Sequence, residues 1–292
     1  MSATEVIQPL ERPAQPGLAR RRRVDLLRDP LALWCVCLAL LLLIVLVVLP
    51  AIVSGSPTRL NAGAPLDAPS GAHWFGTDQN GRDVATRVLY GARLSALVAG
   101  STALLVLLIG GVLGATAASG PRWLGELIMR AMDVGMAFPG ILLAIVLAAA
   151  IGPSLTTTVI VLVVIYTPSM TRVVRAAVFN EFGEDYVTAA RLIGTRPIRL
   201  VGYHVGVNAA LPVIVYATIV MADSIVAEAA LSFLGAGIKA PAPSWGNIIH
   251  DGQTVVAAGA WWVSLFPGIA IVLTVILLNR FSEAIGRRLR AR

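Results

Sequence analysis

Lysine is nearly missing from this chain: Lys239 stands alone against 22 arginines in 292 residues. A phosphate-cradling loop of the form G-x-x-x-x-G-K-[ST] needs a lysine after glycine, and Lys239 follows Ile238, so the chain has no P-loop nucleotide site of its own. Cysteine is also scarce. Cys35 and Cys37 lie two positions apart in an apolar run, so on a helix they face different sides and cannot share a metal. The three histidines, His73, His204 and His250, have no ligand spacing, and neither G-x-S-x-G nor H-E-x-x-H occurs. No catalytic site, bound cofactor or metal site is expected of such a chain.

Charged residues make up only 13% of the sequence and hydrophobic ones 57%, a balance that belongs in a bilayer rather than in a soluble domain. Six apolar runs are long enough, or nearly so, to cross about 30 Å of hydrocarbon at about 1.5 Å per residue. They are Leu31 to Val53, Ala96 to Ala118, Val134 to Ile151, Leu155 to Met170, Ala209 to Leu234 and Trp261 to Leu278. The Gly152-Pro153 pair between the third and fourth predicts a hairpin of two spans. The first run is too long for a cleaved export signal, so it is read as a retained span. The expected organisation is a basic tail over 1–30, a first transmembrane helix over 31–53, an outer loop with an interfacial helix over 54–95, a five-helix core over 96–280 and a basic tail over 281–292.

Arginine placement orients this all-α membrane fold. With the ends on one side, that side collects 18 of the cationic residues: 6 in the N-terminal tail, Arg122 and Arg130, 5 in the loop around residues 172–199, and 5 near the C-terminus. The other side has Arg59, Arg82, Arg87, Arg93 and Lys239. Cationic residues flanking spans are retained in the cytoplasm, so both termini are expected there. Topology thus accounts for the net charge of +7, and no nucleic-acid partner is called for.

One polar stretch on that cytoplasmic side stands out, 181–208, EFGEDYVTAARLIGTRPIRLVGYHVGVN. Tyr186, Val187, Ala189, Ala190 and Ile193 recur at roughly helical spacing, Glu184 and Asp185 sit where a helix macrodipole favours acids, Arg191 follows, and Gly194 closes the segment. A short helix and a sharp turn are predicted. The small Ala189-Ala190 pair would let another surface approach closely, which marks a docking element.

On the outer side, Asp78 and Asn80-Gly81 are turn chemistry, with Gly81 suited to positive φ, and a short helix should follow. Asp83 and Arg87, four apart, are expected to pair along it, with Arg82, Arg87 and Arg93 facing water or headgroups. Calcium at Asp78, Asn80 and Asp83 is disfavoured, because Arg82 falls where a ligand oxygen is needed. Within the fifth run lie two acids. Asp223 is a candidate for the translocation path, because an acid inside hydrocarbon faces a cavity or a partner, and Glu228 is read as supporting the fold. Gly110 to Gly114 fits a small-residue helix contact, and Pro139, Pro168, Pro212 and Pro267 fit kinks.

Three blocks resemble the C-type permease of the oligopeptide, dipeptide and nickel branch of bacterial ATP-binding-cassette importers. They are Tyr186 to Gly194; His73 to Val84, continuing to Ser95; and Glu228 to Gly235 followed by Pro243 to Asn247. The chain departs from the family pattern at Thr188, at Gly206-Val207-Asn208 and at Ser282-Glu283. The resemblance implies a type I importer-like permease fold in the bacterial inner membrane, paired with a second permease subunit, two ATPase domains holding ATP and Mg, and an extracytoplasmic substrate-binding protein. It also implies that Glu184, Asp185, Tyr186, Val187, Ala189, Ala190, Arg191 and Gly194 couple to the ATPase. Asp78, Arg82 and Asp83 are candidate contacts for the binding protein. Oligopeptide is the expected cargo, with dipeptide, nickel, haem or glutathione as alternatives. A gradient-driven transporter would need coupled ionisable groups in several spans, whereas this chain offers mainly Asp223.

Overall fold

A computed structural model describes residues 56–196 and 199–290. The predicted first span, 31–53, and the tail before it lie outside the described residues, as does the end of the C-terminal tail.

Secondary structure among the described residues is helical. Helix α1 runs Val84–Ser119, α2 Arg122–Met136, α3 Gly140–Ile151, α4 Leu155–Glu181 and α5 Asp185–Leu192. A π-helical turn, Leu200–Val205, leads into α6, Gly206–Phe233; α7 is Trp245–Gln253, and α8 is Trp262–Arg290. Starts are set by side-chain caps: Asp83 accepts the Thr86 N–H ahead of α1, Ser154 the Thr157 N–H ahead of α4, and Ser244 the Asn247 N–H ahead of α7. Gly152, at φ 97°, ends α3 and begins the predicted hairpin.

Among the described residues, four helical stretches are long and apolar enough to cross a bilayer: Val84–Ser119, Leu155–Glu181, Leu200–Phe233 and Trp262–Arg287. A fifth arises if α2 and α3 count together, but they bend by 86° at their junction. This corrects the third apolar run: Val134 to Ile151 is the end of α2, a corner at Ala137-Phe138-Pro139, and the short α3. Pro139, which has no N–H to bond back to α2, sits instead as the N-cap residue of α3, and hydropathy carries no information about direction. A second difference is that the helix following Gly81 is no separate interfacial element, because Val84 opens the 36-residue α1 that includes the second apolar run.

Helices α1 and α4 run side by side in the same direction and form the centre of the bundle. Their backbones meet at Gly110 and Gly114, as the small-residue spacing predicts. A Cβ added at Gly114 would lie 2.6 Å from the Thr171 carbonyl oxygen, and one at Gly110 would lie 2.7 Å from Met170 Cγ. Around this seam Val106, Val161, Leu162, Met170 and Val174 are buried in one apolar cluster with Val205, Ala209, Val213 and Val220 of the π-helical turn and α6. A second cluster at the opposite end joins Val84, Val88 and Ala92 of α1 to Trp245, Ile248, Trp262 and Val263.

Candidate functional site

The segment 181–208 folds into α5 between two spans. Glu184 is its N-cap residue and Asp185 begins it, both exposed. Its C-terminus is a Schellman motif: Gly194, at φ 78°, donates its N–H to Arg191 O at 3.0 Å, and Thr195 donates to Ala190 O at 3.1 Å. Nothing lies within 4 Å of where a Gly194 Cβ would stand, so the glycine is there for its backbone conformation alone.

Helix α5 has two faces with different tasks. Val187 is fully buried and Ala190 is 7% exposed, both packed in the main cluster with Leu200 and Val205 of the π-helical turn. Tyr186 donates its hydroxyl to Glu181 of α4, and the Arg191 guanidinium lies 5.1 Å from the Phe182 ring centroid. Partial burial, followed by the Glu181 hydrogen bond, raises the Tyr186 phenol above its ordinary range. The outward face presents Glu184, Asp185, Thr188 and Ala189, then Leu192 and Ile193, which are 84% and 83% exposed. The alanine pair is therefore divided: Ala190 seats the helix on its own chain, and Ala189 faces away. Leu192, Glu181 and Phe182 are parts of this site that the sequence reading missed. Leu192 continues the exposed face one turn beyond Ala189, a signal that helical spacing carried.

At the other end of α1, the residues proposed as a binding-protein contact are placed differently from expectation. Asp78 is fully buried, Arg82 and Arg87 are 7% and 2% exposed, and they close a ring with Asp251 of α7. Arg82 Nε and Arg87 Nη1 donate to Asp78 Oδ2 at 2.6 and 2.7 Å, while Arg82 Nη2 and Arg87 Nη2 donate to Asp251 Oδ2 at 3.1 and 2.8 Å. The expected Asp83 to Arg87 pair is not formed. As the N-cap, the Asp83 carboxylate is drawn to the Thr86 N–H at 2.7 Å, and it also meets His73 Nδ1 at 3.0 Å. Arg82 and Arg87 are thus interior, and Arg93 is exposed. Gly81 takes the expected positive φ, 63°.

This buried ring holds loop 56–83, α1 and α7 in one piece, reinforced by Trp245 Nε1 donating to Val88 O at 2.9 Å and Trp262 Nε1 to Thr77 O at 3.1 Å. Phe75 stacks on Phe266 of α8 with centroids 4.0 Å apart. The loop residue left prominent at the surface is Trp74, 76% exposed. Asp223 is exposed on α6 of the single chain, and Glu228, five residues on, is fully buried.

A bundle of long apolar helices with a polar helix slung between two of them defines a multi-pass membrane protein. Residues 107–291 match the family described as binding-protein-dependent transport system inner membrane component, and the chain belongs to that family. A relative from Brucella suis biovar 1, named for a peptide transport system permease, is 42% identical over 250 residues, covering 85% of this chain and 84% of the relative. The dipeptide transport system permease protein DppC of Alkalihalophilus pseudofirmus is 39% identical over 236 residues, 81% of this chain and 77% of the relative. In fold, the chain is similar to an inward-facing structure of the MetNI methionine ABC transporter. The TM-score is 0.58 at 19% identity, covering 70% of this chain and 95% of that one.

Proposed function

We propose that this chain is the permease subunit of an ATP-driven, binding-protein-dependent importer of the bacterial inner membrane, with oligopeptides as its cargo. The observation that carries the reading is α5: a helix anchored to its own bundle by Val187, Ala190 and Tyr186, yet leaving Ala189, Leu192 and Ile193 exposed among the described residues. Such a face suits a cleft on an ATPase subunit. Two ATPase domains, holding ATP and Mg, would close on nucleotide and carry α5 with them. Because the π-helical turn and α6 follow α5 directly, that displacement would tilt α6 and switch the path between its inward- and outward-facing states.

A second permease would complete the path, with Asp223 of α6 facing it and attracting a peptide amino terminus. With the first apolar run counted as a span, the chain would have six, with both ends and α5 in the cytoplasm. The ring end of α1 would then face outward, and the binding protein would meet the surface around Trp74, which Asp78, Arg82 and Asp83 shape from within. The relatives named for peptide and dipeptide transport support the cargo class. A gradient-driven mechanism is not favoured by membership of a binding-protein-dependent family.

The test is purification of the tagged chain from its native membrane, identification of its companions, and assay of ATP hydrolysis and peptide uptake by the complex. Companions with P-loops and a second permease are expected. Ala189→Glu, on the outward face, should abolish ATP-driven uptake while leaving the chain folded; unimpaired uptake by that variant would refute the reading.

A further inference from the structure

Glu228 is a carboxylate sealed inside the protein, and among the described residues no cation accompanies it. Its partners are hydroxyls: Ser95 Oγ of α1 donates to Oε2 at 3.1 Å, and Ser232 Oγ, one turn further along α6, donates to Oε1 at 2.8 Å. Both serines are at most 1% exposed. Replacing a buried polar cluster with apolar side chains of similar volume is often neutral or stabilising, so stability alone explains this arrangement poorly. What leucine could not do at this position is join α1 to α6 directionally.

Those two helices belong to a lever and a cap. The lever is the continuous helical rod Leu200–Phe233, 34 residues and about 50 Å long, whose start packs on α5. The cap comprises loop 56–83, the start of α1 and α7, fixed together by the Asp78, Arg82, Arg87 and Asp251 ring. Ser232 rides on the lever with Glu228, whereas Ser95 belongs to the cap. Among the described residues, Ser95 to Glu228 is the one side-chain hydrogen bond that joins α1 directly to α6. Packing between helices resists separation but permits sliding; a carboxylate shared by hydroxyls on both bodies resists sliding too.

We propose that Glu228 is a positioning residue for transport: it is the junction through which displacement of α6, imposed at α5, is passed to the α1 part of the cap. This rests on the importer reading above.

The experiment uses the whole transporter, with partner permease, ATPase subunits and binding protein, reconstituted in liposomes. Spin labels are attached at Trp74→Cys on the cap and Leu234→Cys at the end of α6, in a background carrying Cys35→Ser and Cys37→Ser. The label distance is measured at rest and after trapping with ATP and vanadate, alongside the rate of ATP hydrolysis. In the otherwise unaltered chain the distance should hold constant, because lever and cap move together. In Glu228→Ala the distance should change on trapping while hydrolysis continues, and a hydrolysis-coupled uptake of the peptides found to be carried should fall at least tenfold. Glu228→Gln, which keeps an acceptor oxygen, should restore most of the coupling. Should Glu228→Ala fail to assemble, Ser95→Ala provides the same test with the carboxylate retained. A constant distance and normal coupling in these variants overturn the proposal and leave the importer reading intact. Absence of any ATP hydrolysis by the complex before mutation overturns the reading itself.

Discussion

Gly114 is the point where the α1 and α4 backbones come closest, and it gives a graded test of the packing. A methyl there would sit 2.6 Å from the Thr171 carbonyl oxygen and 2.6 Å from Val174 Cβ, neither of which is the free end of a flexible side chain. At Gly110 the obstacle is Met170, at 2.7 Å from Cγ and 2.8 Å from Cβ, with the Thr171 amide nitrogen at 3.3 Å, so the side chain can yield in part. Gly111, on the same helix, has nothing within 4 Å. Overpacking a tight contact costs about 1 to 3 kcal/mol, whereas exchanging glycine for alanine in an unobstructed helix gains about 0.4 to 1 kcal/mol. At this chain length each kcal/mol moves the melting midpoint by about 2 to 4 °C. The midpoints of the detergent-solubilised chain, followed by size-exclusion chromatography after heating, should therefore fall for Gly114→Ala by about 2 to 12 °C, fall less for Gly110→Ala, and hold or rise for Gly111→Ala. Equal midpoints for Gly114→Ala and Gly111→Ala would refute the seam.

Removing Arg87 leaves two aspartates short of a partner: Arg87→Leu should cost about 3 to 5 kcal/mol, read as the same midpoint, and Arg87→Lys should restore little because one ammonium cannot reproduce the fork to Asp78 and Asp251. Gly194→Ala places a side chain at φ 78° in open space, so only backbone strain of about 1 kcal/mol opposes it; faster hydrogen exchange confined to residues 184–196 is the expected result. For Tyr186 the phenol is raised by burial and by Glu181, so its neutral form is the one the fold favours. That contribution is fully present below the ordinary tyrosine range near 10 and is lost as pH climbs through the raised value. The ultraviolet ionisation difference between the native chain and Tyr186→Phe should accordingly appear later than for a free tyrosine, and an earlier transition would contradict the contact.

Local signals in the sequence proved legible where the chemistry was local. Gly194, Gly81 and Gly152 all take positive φ at the turns where their neighbours called for one, and α5 begins and ends within a residue or two of the reading. Glu228 was recognisable as a supporting acid, because a carboxylate inside an apolar run must find donors. The failures are of two physical kinds. Asp83 and Arg87 have the spacing of a helical pair, but capping competes for the aspartate and the arginine finds Asp251, 164 residues away, which no local pattern announces. Spacing also placed both Ala189 and Ala190 on an outward surface, although adjacent residues on a helix point about 100° apart and here that turn carries Ala190 under the helix, against Val187 and Leu200 of the same cluster.

The corner at Pro139 bears on how the subunit must sit among its neighbours. Helix α3, with 12 residues, rises about 18 Å, well short of a hydrocarbon layer of about 30 Å. If its Ile151 end reaches one membrane surface, its first turn lies at depth, and that turn begins with no side-chain cap. Amide groups in that situation are not left to lipid tails, which offer no acceptor. The flank bearing Phe138 and Pro139, exposed in the isolated chain, is thus not a lipid-facing flank: protein or water must cover it. The annulus of lipid around the assembled transporter is interrupted there, and a map of acyl-chain contacts by depth-dependent quenching would show a gap at this corner.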